Sequence, residues 1–218
     1  MNKVRKEHFS LQYISYPDQH GDHMPGILSV LEGGGKWIQL RMKNCTLDEI
    51  EQVAIQVKTL CEKFQATFIL NDHPELVSKL DLDGVHIGKK DIAAHKARTI
   101  IGEGKILGRT CNSIKDLLET INLPIDYIGF GPYKFTTTKA EISDVLGQNI
   151  FGELNDLSKT YNLKPIVGIG GIEVGDIETL TTYGINGIAA SGMLRNKTTE
   201  EIKNIVEEIN HGFIKNRR

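Results

Sequence analysis

The chain has only three cysteines, and Cys45, Cys61 and Cys111 are scattered with no CxxC spacing. Their odd number and spacing argue against a disulfide framework and against a zinc site. An excess of one charge is lacking too. A net charge of -2 leaves no general attraction for nucleic acid or an anionic membrane, so any anion site must come from a local cluster. No apolar run approaches the length of a membrane span, and the start, MNKVRKEHFS, has no apolar segment of the secretory type. The expected setting is the cytoplasm. Low-complexity stretches and linkers are also missing, so residues 1–218 read as one domain, large enough to bury a core without disulfides or metal.

What is present is a regular alternation. Short apolar runs rich in Ile and Val fall at 11–16, 37–42, 67–72, 84–88, 105–110, 127–133, 165–172 and 187–194, each followed by a helical pattern. Eight such units in this length predict a parallel sheet closed into a (β/α)8, or TIM, barrel. Two helices are especially well marked. After Thr46, the residues Ile50, Val53, Ala54, Val57, Leu60, Cys61 and Phe64 share one face, and Thr46 with Glu49 forms a capping box. Thr198 with Glu201 repeats the device before Ile202, Ile205, Val206 and Ile209. The stretch 17–35 has room for only a short first helix. His20, Asp22 and His23 in it read as a solvated loop before they read as metal ligands.

A barrel of this kind puts its chemistry at the carboxyl ends of its strands. There the second run carries Gln39, Arg41 and Lys43, the third Asn71 and Asp72, and the fourth leads to Lys89, Lys90 and Asp91. Arg41 and Lys43 alternate with Leu40 and Met42 and would share the inward face, where a cation is costly without an anion; exposed strand-end charges are the other reading. Asp72-His73-Pro74 looks like a helix start, so Asp72 taken alone reads as a cap. Asp72 and Asp91 together could instead hold Mg²⁺, which favours carboxylates plus substrate phosphates. His86 suits either a core or a site. Gly168-Ile169-Gly170-Gly171 and Ala190-Ser191-Gly192 end the last two runs, where such barrels commonly hold a phosphate. In GPYKFTTTKA (131–140), three threonines and a lysine read equally as a solvated loop or as a polar anion site.

In order and spacing these segments resemble the thiamine phosphate synthase family over nearly the whole length. The resemblance rests on Gln39-Leu40-Arg41-Met42-Lys43, Ile69-Leu70-Asn71-Asp72, and Asp83-Gly84-Val85-His86-Ile87-Gly88 with Asp91. It continues in Asp126-Tyr127-Ile128-Gly129-Phe130-Gly131-Pro132, in 136–139, and in Gly168-Ile169-Gly170-Gly171-Ile172. It implies condensation of a hydroxymethylpyrimidine diphosphate with a thiazole phosphate, giving thiamine phosphate and pyrophosphate. By that resemblance Arg41, Lys43, Asn71 and Lys139 would hold the diphosphate, and Asp72 and Asp91 would carry Mg²⁺. Gln39, Thr110 and His86 would meet the pyrimidine, while Thr136, Thr138, Gly171, Ala190 and Ser191 would hold the thiazole phosphate. The implied catalytic set is Arg41, Lys43, Lys139 and Thr110, and the implied assembly is a homodimer. No nucleophile–base pair is evident, which suits a reaction that needs a departing pyrophosphate stabilised and no strong base.

The chain departs from the family where a Ser-x-His arrangement usually follows the fifth strand; it has Thr110-Cys111-Asn112. Here a histidine also stands after the Asn-Asp pair, at His73, in place of the usual arginine. The thiazole tautomerase branch is the nearest rival, but its working histidine would fall at Asn112, and an amide relays no proton near neutral pH. A catalytically silent binder of thiazole or thiamine phosphate is a second alternative, disfavoured because Arg41, Lys43, Asp72, Asp91 and Lys139 are all retained.

Overall fold

The computed structural model describes residues 9–135 and 145–215. Eight strands run β1 Leu11–Ile14, β2 Trp37–Leu40, β3 Thr67–Asn71, β4 Gly84–Ile87, β5 Ile106–Cys111, β6 Tyr127–Phe130, β7 Ile166–Ile169 and β8 Gly187–Ala190. The helices between and after them are α1 Met24–Glu32, α2 Leu47–Phe64, α3 Pro74–Lys79, α4 Ala94–Ile101, α5 Ile114–Glu119, α6 Gly147–Thr160, α7 Ile177–Thr182 and α8 Thr199–Lys215. All eight strands pair in parallel in chain order. β8 pairs back to β1 with Leu11 opposite Ile188, closing the barrel. The fold is the (β/α)8 barrel expected from the alternation.

Strand alternation divides the core in two. Outward side chains such as Ile38, Leu70, Val85 and Ile188 pack against the helices. Inward ones, Phe9, Trp37, Ile69, Ile106, Tyr127 and Val167 among them, fill the barrel. Trp37 is the hub of that interior, its ring 4.9 Å from Phe9 and 5.0 Å, edge-on, from Tyr127. The Tyr127 ring fits because its neighbour is glycine. A Cβ on Gly108 would stand 2.2 Å from Tyr127 Cζ.

Local signals hold the outer layer as the sequence suggests. Glu49 N–H donates to Thr46 Oγ1 at 3.3 Å while Thr46 N–H donates to Glu49 Oε2 at 2.7 Å, and Thr198 and Glu201 reproduce the pair before α8. At the amino-terminal end of the barrel, the buried Arg98 guanidinium ties α4 to the strands that follow. It donates to the carbonyls of Pro124, Gly102 and Lys105 and pairs with Asp126 at 2.6 Å.

The strands are mostly shorter than the apolar runs. β2 stops at Leu40, not 42, and β8 at Ala190, not 194. Beyond the last ladder bond the chain must clear the rim. Arg41 N–H donates to the Ser15 hydroxyl at 3.1 Å, and 192–194 form a single 3₁₀ turn. The stretch before α1 proves to be a loop around Asp18, whose carboxylate accepts from the N–H groups of His20 and Asp22. Among the described residues these side chains turn apart: His20 faces Gln19, Asp22 accepts from Met24 N–H, and His23 turns inward to Ser15 at 2.8 Å.

Candidate active site

The carboxyl ends of β2, β3 and β4 bring charges of both signs together. Gln39 is buried, and its Nε2 has no hydrogen-bond partner among the described residues, a demand that a polar ligand would meet. Arg41, half-buried next to it, has its pKa pushed down by burial, partly offset by the charge of Asp72. Lys43 reaches Asp72 in an ion pair. Asn71 ends β3 opposite His86 in the ladder.

Asp72 is not a helix cap. His73 takes the N-cap position of α3, and no side chain caps it. Asp72 instead has φ of 72°, in the left-handed region an aspartate tolerates, and its N–H donates to the His86 carbonyl at 2.9 Å. That twist turns its carboxyl group to Lys43 and Asp91. The two carboxyl groups lie close enough for each to shift the other's pKa. Burial, then Asp91, pushes Asp72 above the usual carboxylate range. Burial pushes Asp91 the same way, but Asp72 and a hydrogen bond of 2.6 Å from Gly88 N–H hold it below that range. Two carboxylates this close suit a divalent cation. The donor set therefore fits Mg²⁺.

Deeper in the mouth lies a chain of hydrogen bonds from the barrel interior. Gln12 Nε2 donates to Tyr127 Oη at 3.0 Å, Tyr127 Oη lies 2.9 Å from His86 Nδ1, and His86 Nε2 lies 2.8 Å from Thr110 Oγ1. His86 and Thr110 carried an expectation from the resemblance. Gln12 and Tyr127 did not, and a buried glutamine in the middle of an apolar strand was the available signal. Next to Thr110, Cys111 is buried on the outer face with its thiol pushed up to about 12 by burial and then by Asp116, so it supplies no thiolate. Asn112 donates to the Gly131 carbonyl at 2.5 Å, fastening the end of β5 to the loop after β6.

Across the mouth, the turn after β7 offers its backbone. Gly170 and Gly171 have φ of 94° and 62°, and a Cβ on Gly171 would meet Phe135 O at 2.6 Å, so only glycine lets the loop after β6 lie this close. Tyr133 and Lys134 N–H groups donate to the carbonyls of Ile169 and Gly170, both at 2.9 Å. After that turn, residues 174–176 form a 3₁₀ turn, and α7 follows. Ser191 Oγ is buried and lacks a hydrogen-bond partner among the described residues. Ala190 packs its side chain outward into the helical layer, so only its backbone is available to a ligand. Thr136, Thr138 and Lys139 lie outside the described residues.

A parallel barrel with a cation–carboxylate cluster on one side of its mouth and a glycine turn on the other is the architecture of an enzyme for phosphorylated small molecules. The comparisons narrow that class. A family model described as thiamine monophosphate synthase matches residues 13–194. The chain is 44% identical over 186 residues to the thiamine-phosphate synthase of Bacteroides thetaiotaomicron, covering 85% of this chain and 89% of that one. It is 38% identical over 207 residues to the thiamine-phosphate synthase of Flavobacterium johnsoniae, covering 94% and 97%. In structure it is similar to thiamine phosphate pyrophosphorylase from Pyrococcus furiosus, with a TM-score of 0.77, 27% identity and coverage of 94% and 98%. The chain belongs to the thiamine monophosphate synthase family.

Proposed function

We propose that this chain is a transferase of thiamine biosynthesis that joins hydroxymethylpyrimidine diphosphate to thiazole phosphate, releasing pyrophosphate and forming thiamine phosphate. The family membership carries the reaction. The observation that carries the assignment of its parts is the gathering of Arg41 and Lys43 around the Asp72–Asp91 pair.

On this reading Arg41, Lys43, Asn71 and Lys139 hold the diphosphate, and Asp72 and Asp91 hold Mg²⁺. When bound, the ion supplies electrostatic stabilisation to the departing pyrophosphate. The methylene–oxygen bond breaks first, and the pyrimidine's own amino group stabilises the resulting cation. Gln39 and Thr110 orient the pyrimidine, with His86 behind Thr110, while Thr136, Thr138, Gly171 and Ser191 and the Ala190 backbone hold the thiazole phosphate so that its nitrogen attacks in line. No side chain has to remove a proton from a carbon. The buried, outward-facing Cys111 thiol and the tethered Asn112 amide agree with that. The same reading takes 1–218 as one domain and the enzyme as a cytoplasmic homodimer.

The test is release of pyrophosphate and thiamine phosphate by the purified protein given both substrates, with and without Mg²⁺. Both products, formed only with the metal, support the reading. Isomerisation of a thiazole carboxylate phosphate, or tight thiazole phosphate binding without product, would replace it with a tautomerase or a silent binder.

A further inference from the structure

The hydrogen bonds inside the barrel form a relay whose direction the His86 tautomer sets. Gln12 is almost fully buried, and its amide donates to Tyr127 Oη at 3.0 Å. Tyr127 is wholly buried, and burial pushes its pKa well above the usual phenol value, so the hydroxyl stays protonated. With one lone pair taken by Gln12, the phenol can give its hydrogen to His86 Nδ1, 2.9 Å away, or accept a second hydrogen bond from it, and the histidine tautomer decides which. An Nδ1 that accepts belongs to the neutral tautomer carrying its proton on Nε2. In that tautomer the Nε2–H donates to Thr110 Oγ1, 2.8 Å away. A threonine oxygen occupied in this way keeps its own hydrogen for a partner elsewhere, and Thr110 stands at the carboxyl end of β5, where the mouth opens.

We propose that Tyr127, held by Gln12, is a positioning residue that sets through His86 the direction of the Thr110 hydroxyl, making it a hydrogen-bond donor to an acceptor atom of the pyrimidine diphosphate. This rests on the substrate assignment above. The sequence spends glycines on the arrangement. Gly108 admits the Tyr127 ring, and a Cβ on Gly129 would press on His86 Cε1 at 3.1 Å. It also accounts for a threonine at this position: the methyl limits its rotamers, and the network chooses where its proton points.

Tyr127→Phe removes one hydroxyl and keeps the ring packing. It is expected to lower kcat about tenfold, the worth of one well-placed hydrogen bond, with both KM values within about twofold. In a Thr110→Val background the same change is expected to lower kcat no further, and in Thr110→Ser its cost returns. An undiminished tenfold loss in Thr110→Val would overturn the proposal, because Tyr127 would then act by another route. If Tyr127→Phe does not fold, Gln12→Met is the second variant, with the same dependence on Thr110. ¹⁵N NMR of the histidine ring reads the network independently of turnover. Wild-type protein should show His86 Nε2 protonated and Nδ1 bare, and the opposite tautomer would overturn the proposal. A wild-type protein that forms no thiamine phosphate would defeat the functional reading, and the ring signals would still decide the network.

Discussion

Lys134 Nζ lies 2.7 Å from Asp176 Oδ2 and thereby pins the loop after β6 to the turn after β7. The pairing, with burial opposing it, raises the lysine's pKa. The ion pair is partly exposed, so its worth to stability is small, under about 1 kcal/mol. Its effect falls on the shape of the glycine turn, because Gly171 and Lys134 are packed together. Asp176→Asn is therefore expected to raise KM for thiazole phosphate about fivefold, with little change in melting temperature. Steady-state kinetics with a melting curve checks this, and a large fall in melting temperature would contradict it.

Arg98 is the opposite case. Its side chain is buried and satisfies three carbonyls besides Asp126. Arg98→Ala takes the guanidinium away from Asp126, which keeps the Leu107 N–H, and from those carbonyls, at a cost of about 3–5 kcal/mol. Urea denaturation should show that loss, while the turnover of the protein that remains folded stays near normal, since Arg98 lies at the other end of the barrel.

Asp91→Ala removes half of the carboxylate pair, and Lys139→Ala one of the cations assigned to the diphosphate. Each is expected to lower kcat about 100-fold without unfolding the barrel. The two should differ in a Mg²⁺ titration: only Asp91→Ala needs more metal to reach its plateau. Near-normal turnover in either variant would remove that residue from the site.

Asn112 serves the fold in this chain. Its amide holds the Gly131 carbonyl, so Asn112→Ala is expected to cost about 1 kcal/mol of stability and change turnover only a few-fold. Asn112→His puts a proton relay at the same spot, and assays on thiazole carboxylate phosphate would show whether that alone adds tautomerase activity.

His23 makes stability depend on pH. Burial holds its pKa below the ordinary histidine value near 6.5, against the charges of Asp22 and Asp18. Unfolded, the side chain takes up a proton as pH falls through about 6.5. Folded, it takes one up only at lower pH. In the window between, the unfolded state binds more protons, so stability falls as pH drops through 6.5 and levels off below the folded pKa. Urea midpoints measured from pH 8 to pH 5 should show this slope, and His23→Gln should flatten it.

The sequence by itself determined the architecture. Eight apolar runs separated by helical periods carry a parallel barrel because both signals are local, and the boxes at Thr46 and Thr198 are legible for the same reason. Gln39, Arg41, Lys43, Asn71 and Asp72 could be placed at strand ends because a barrel exposes only one end of each strand to its mouth. Tertiary structure decided the rest. Asp72 reads locally as a cap, yet a left-handed backbone turns it to Lys43 and Asp91. Ala190 sits beside Ser191 in sequence but faces the helices, since strand neighbours point to opposite sides. Gln12 and Tyr127 are 115 residues apart and meet only because closing the sheet brings inward side chains of distant strands to one axis. A local pattern marks each of them as inward and buried. Only the closed barrel makes them partners of His86 and Thr110.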